Sequence, residues 1–139
     1  MKVARVRAFT LIEMMAVVII IGLLAVAIGP KFFGQVNKAQ VTRAQKDIET
    51  LTSAVTLYKF NTGQFPSDLQ DLLSEPSEVS GWAGPYLNKK GGIKDPWDKR
   101  YEYVVPGRDG REFDIWSYGQ DGIEGGEGMN ADITSWEDE

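Results

Sequence analysis

The run AFTLIEMMAVVIIIGLLAVAIGP, residues 8–30, constrains any fold this chain can adopt, because its 23 residues include one charged side chain, Glu13. All 17 residues from Met14 to Pro30 are uncharged. As a helix they would rise ~26 Å, close to the ~30 Å hydrocarbon core of a bilayer. Lys2, Arg5 and Arg7 precede the run, so the short amino end is expected in the cytoplasm and everything after Pro30 on the far side. A cleaved secretory signal is the competing reading, since it too has a basic start and an apolar centre. The anchor is favoured because the run is longer than the about 7–15 residues of a signal's centre, has a carboxylate near its front, and continues directly into polar residues with helical spacing. That carboxylate needs a reason. An acid costs ~2.5 kcal/mol or more at a bilayer centre, and less near an interface, so it marks a partner or a side chain that snorkels to the headgroups.

Helical spacing persists beyond the membrane segment. Val41, Ala44, Ile48, Leu51, Val55 and Tyr58 are separated by 3, 4, 3, 4 and 3 residues, one stripe of an amphipathic helix. Arg43, Lys46, Asp47 and Glu49 fill the other face as solvated neighbours. Asn61-Thr62-Gly63 is the stop signal, which predicts one helix over about residues 9–60. Pro30 removes a backbone donor, and a kink or unwound segment is expected over residues 26–30.

After Gly63 the chain reads as a small α+β head. Ser67 is expected to cap a short helix in SDLQDLLSEP, and a Gly/Pro-rich loop follows. Two strands are expected in RYEYVV and EFDIWSY around the turn PGRDG, with Tyr101, Tyr103, Val105, Phe113, Ile115 and Ser117 alternating. The sheet is expected to pack on the 48–58 face of the long helix. Trp82, Tyr86 and Trp97 read as core rather than a stacking platform. The acid pairs Asp68/Asp71 and Glu112/Asp114 read as solvated faces.

Composition excludes several functions. With 15 basic and 20 acidic residues and a net charge of −5, the chain does not look like a nucleic-acid binder. It has no Cys and no His, which removes disulfides, thiol nucleophiles, Ser-His-Asp arrangements and Cys/His zinc sites. No nucleophile and base occur at a meaningful spacing, and no enzyme activity is expected. The tail SYGQDGIEGGEGMNAD, residues 117–132, combines glycines with two Asp and two Glu. Its composition suits either a Ca2+ held by carboxylates and carbonyls or a loose acidic loop.

A basic leader, then Phe9-Thr10-Leu11-Ile12-Glu13 and about 20 apolar residues broken by a proline, resembles the amino end of type IV pilins and their relatives. YKFNTGQFP, Gly84-Pro85-Tyr86-Leu87, Asp95-Pro96-Trp97-Asp98 and SYGQDGIEGGEGMNADI extend the resemblance over essentially the whole chain, to the major pseudopilins of type II secretion systems. This resemblance implies a type IV pilin-like fold: a long helix, membrane-spanning in its first half, packed on a small antiparallel sheet, with a Ca2+-binding carboxy-terminal loop. It divides the chain into a cleaved leader (residues 1–8), an assembly helix (9–30) and a periplasmic head (31–139). A prepilin peptidase would cut between Ala8 and Phe9 and methylate Phe9; the family favours Gly where this chain carries Ala8. Glu13 would then pair with the Phe9 amine of a neighbour and set register between subunits, with Thr10 adding a hydrogen bond and Pro30 marking the assembly segment. For Ca2+ the resemblance implies side-chain ligands at Asp121 and Asp132, with Asn130 where many relatives carry another Asp, and carbonyls of Tyr118, Ile123 and a residue at or beside Gly128; Glu124 and Glu127 are further candidates. The implied partners are membrane lipid, copies of the chain in a helical filament, minor pseudopilins, an inner-membrane assembly platform and the peptidase. A surface type IV pilin and a membrane-anchored domain that never polymerises are the alternatives.

Overall fold

The computed structural model describes residues 9–88 and 92–136, with residues 29–33 described as backbone alone. Ala8 and the rest of the leader, the side chain of Pro30, and the acidic end at residues 137–139 lie outside the described residues. The chain forms two compact units, Met1–Val36 and Asn37–Glu139.

The helix α1 runs over Leu11–Thr62. Its helical assignment continues through Pro30, so the unwound segment expected over residues 26–30 is absent from a single subunit. Proline removes one donor, and the hydrogen bonds on either side carry the helix onward. In the first unit, Leu11–Ile28 has a mean hydropathy of 2.9 and none of it is buried.

In the second unit the expected stripe is the core. Ala44, Leu51 and Val55 are fully buried, with Ile48 and Tyr58 nearly so, and they pack with Leu69, Leu72, Tyr101, Ile115 and Ile133. Burying each large side chain contributes about 1.5–3 kcal/mol, so this seam stabilises the head. The helix closes where Gly63 N–H donates to Lys59 O at 2.8 Å and Thr62 Oγ1 to Tyr58 O at 2.8 Å.

The short helix expected in SDLQDLL is a single 3-10 turn, Leu69–Leu72, capped by Asp68 rather than Ser67. Asp68 accepts from Gln70 N at 2.6 Å, while Asp71 reaches back to Asp68 N at 3.2 Å and Ser67 Oγ at 2.8 Å. The two aspartates form a reciprocal capping box, not a solvated pair.

The sheet has three antiparallel strands in sequence order: β1 (Glu102–Val104), β2 (Asp114–Ser117) and β3 (Ile133–Thr134). Tyr103 pairs with Ile115, and Ser117 with Ile133. The third strand was not expected, because two residues are too few to show alternation. Its presence makes β2 central, and all four β2 residues are buried where a half-exposed strand was expected. Trp82 and Tyr86 pack on the core, with ring centroids 5.8 Å apart, edge to face. Trp82 Nε1 donates to Asp71 O at 3.0 Å, which satisfies the indole while its ring is half-buried.

Candidate functional site

At the start of α1 the sequence places Thr10 and Glu13 three residues apart, the spacing of a capping box. Glu13 Oε2 accepts from Thr10 N at 2.7 Å and Thr10 Oγ1 at 3.0 Å, and Glu13 N donates to Thr10 Oγ1 at 3.3 Å. In a single subunit, therefore, the carboxylate satisfies its own helix end, which reduces the cost of carrying it. Oε1 accepts no hydrogen bond among the described residues. Phe9 is 79% exposed, one residue ahead of the capped turn. This places a carboxylate with a free oxygen beside the backbone position expected to become the amino terminus.

The second candidate is the carboxy-terminal loop. Gly119 adopts φ +66, and a Cβ there would lie 2.5 Å from Met129 O and 2.9 Å from Ala131 O. No other residue fits this approach, which brings the two ends of the loop together. Gln120 N closes it by donating to Met129 O at 2.8 Å. Asp121 Oδ1 accepts from Ile123 N at 3.1 Å, and Asp132 Oδ2 from Gly125 N at 3.0 Å. Asn130 N donates to Glu127 O at 3.1 Å. Among the described residues no three acidic side chains gather, so a cation here would draw much of its shell from carbonyls, as Ca2+ accepts.

Asp132 Oδ1 tests the fit. It is buried and has no hydrogen-bond partner. An orphaned carboxylate oxygen is costly unless something positive meets it, and a hard divalent cation would. Asp132 also lines a cavity of about 230 Å³ with Tyr118, Glu124 and the cationic Arg108 and Arg111. Of the expected ligands, Asp132 is half-buried, with its Oδ1 buried and unpaired. Asp121 and Asn130 are exposed, as are Ile123 and Gly128.

Beside the loop, sequence reasoning misread Asp114. It was expected to be solvated, but it is fully buried. Arg111 Nε donates to its Oδ1 at 2.6 Å and Arg111 Nη2 to its Oδ2 at 3.2 Å, while Arg108 N adds a bond to Oδ2 at 2.7 Å. Burial pushes this carboxyl up, but the hydrogen bonds and positive charge of Arg111 and Arg108 outweigh burial and hold it below the ordinary value. The guanidinium of Arg111 also lies 4.6 Å from the Trp136 ring centroid. Nothing local in GREFDIW signals burial; it follows from β3 making β2 central.

Comparison with known proteins follows the same two regions. The family model described as type II secretion system protein G matches residues 31–136, and the prokaryotic N-terminal methylation motif matches residues 3–29. The chain is similar to type II secretion system core protein G of Pseudomonas aeruginosa, 40% identical over 134 residues, covering 93% of this chain and 94% of the relative. It is 36% identical to the Vibrio cholerae protein of that name, covering 97% and 94%. The crystal structure of the major pseudopilin from the type 2 secretion system of enterohaemorrhagic Escherichia coli superposes with a TM-score of 0.60 at 27% identity, covering 75% of this chain and 92% of that one.

Proposed function

The chain belongs to the type II secretion system protein G family, and on that premise we propose that it is a major pseudopilin, a structural subunit that polymerises into a periplasmic pseudopilus and drives export of folded proteins. The observation that carries this reading is the Leu11–Ile28 helix, apolar on every side and wholly uncovered, with Glu13 at its first turn. Such a surface is stable in lipid or against copies of itself.

The leader of residues 1–8 is removed by a prepilin peptidase and Phe9 is methylated, within the region that the methylation motif matches. Before assembly the subunit is anchored in the inner membrane with its head in the periplasm. On assembly, the amine of one Phe9 meets Glu13 of a neighbour. The carboxylate then exchanges part of its self-capping for a charged partner, and slippage by one residue leaves both charges unpaired in an apolar medium. Minor pseudopilins and an inner-membrane assembly platform are its other partners.

The carboxy-terminal loop takes one Ca2+, for which Asp121, Asn130 and Asp132 supply side-chain oxygen and Tyr118, Ile123 and Gly128 supply carbonyls. The ion ties the loop to the sheet in a head that has no disulfide. The orphaned oxygen of Asp132 supports this reading.

The test is fibre formation by Glu13→Ala in cells that carry the secretion machinery. The processed variant is expected to accumulate in the inner membrane with at least about a tenfold loss of sheared fibre. Normal fibre yield would refute the pairing.

A further inference from the structure

We propose that Lys99 is a built-in cation for the Gly-rich loop: its ammonium organises the loop when no metal is present and competes electrostatically with a metal that enters. The competitive half rests on the Ca2+ reading above. Lys99 Nζ donates to Gln120 O at 2.6 Å and to Gly119 O at 3.4 Å. These are backbone carbonyls of the loop, the donor type that a hard cation takes.

The lysine is held firmly. Its own N–H donates to Asp95 Oδ1 at 2.9 Å, and its carbonyl accepts from Asp95 N at 2.7 Å. Asp95 is buried, and its Oδ2 accepts from Ser117 Oγ at 2.6 Å, which in turn accepts from Gly119 N at 3.2 Å. One turn, residues 95–99, thus grips Gly119 from both sides: through Ser117 at its N–H and through the ammonium at its carbonyl.

The loop leaves room for this side chain. Gly122 adopts φ +76, and a Cβ there would stand 2.5 Å from Nζ, 3.1 Å from Cε and 3.3 Å from Cδ of Lys99. Residues 117–132 contain Asp121, Glu124, Glu127 and Asp132 and no basic residue. The ammonium supplies positive charge that the segment itself lacks, and a dication bound to the same segment is repelled by it.

The experiment compares full-length wild type and Lys99→Met in detergent micelles, with EDTA and with millimolar Ca2+, by amide hydrogen exchange over residues 117–132 and by calorimetric titration with Ca2+. In EDTA, the Gln120 amide of Lys99→Met is expected to exchange at least about tenfold faster. Its Kd for Ca2+ is expected to fall about fivefold once the like charge is gone. Unchanged exchange in EDTA overturns the organising role, and an unchanged or higher Kd overturns the competition. If wild type binds no Ca2+, the metal reading fails and the EDTA exchange alone decides the role of Lys99. Lys99→Arg keeps the charge and must return exchange toward wild type; failure to do so overturns the proposal.

Discussion

Replacing Arg111 with Met tests whether the buried carboxylate of Asp114 depends on one guanidinium. Arg111 provides two of the three hydrogen bonds to that carboxylate, and Arg108 N provides the third. Removing one partner of a buried pair costs about 3–5 kcal/mol, mostly the penalty of the charge left behind. The orphan has an escape, which is to take up a proton. At about pH 7, neutralising a carboxyl of ordinary pKa ~3.9 costs roughly 4 kcal/mol, at ~1.4 kcal/mol per unit, and that sets a ceiling. The Arg111 side chain is 32% exposed, so water reaches part of the gap and the expected loss is about 3 kcal/mol. Met keeps an apolar stem against Trp136, leaving about 0.5–1 kcal/mol for the lost cation–π contact.

The pH dependence is the sharper part. Because the folded Asp114 carboxyl lies below its ordinary value, its contribution is fully present above about pH 4 and is lost as the pH falls through the depressed value. In Arg111→Met the unpaired carboxyl takes up a proton readily as the pH falls to about 4, so the difference from wild type should be smaller there than at neutrality; it reaches about 1 kcal/mol, the stacking loss alone, only below the depressed value, where wild type is protonated too. Urea unfolding of the full-length chain in detergent, followed by tryptophan fluorescence at about pH 7 and about pH 4, measures both differences. A loss below about 1 kcal/mol near neutrality, or the same loss at both pH values, would refute the reasoning.

Other outcomes follow from the same structure. Leu51→Ala removes a fully buried side chain from the helix face under the sheet and should cost about 3 kcal/mol in the same unfolding assay, against about 0.5 or less for an exposed site. If the loop takes Ca2+ as proposed, wild type should gain ~2.7 kcal/mol at a hundredfold excess over Kd, read as a rise in melting temperature, and Asp132→Ala should remove most of it. Asp121→Ala should do the same, and a full calcium response in both variants would sink the ligand assignment. Glu13→Ala should leave the melting of the head unchanged while fibre yield falls, because Glu13 is exposed and bonds only within its own helix end among the described residues.

Local pattern determined much of this protein. An apolar run with one acid, then a 3-4 spaced stripe, leads directly to α1 and to the residues that α1 buries, because helical periodicity is a property of neighbours in sequence. The apolar helix, long enough to cross a membrane, the capping spacing of Thr10 and Glu13, and the acidic Gly-rich tail are legible for the same reason. Tertiary structure decided what depends on residues far apart. A two-residue β3 turns β2 from an edge into a central strand, and Asp114 passes from an expected solvated face to a buried pair with Arg111. Lys99 and Gln120 are 21 residues apart when the ammonium meets the carbonyl, and no local propensity encodes such a meeting. The orphaned oxygen of Asp132 belongs to the same class, since composition shows which oxygens a loop carries and only folding decides which of them are left without a partner in the interior.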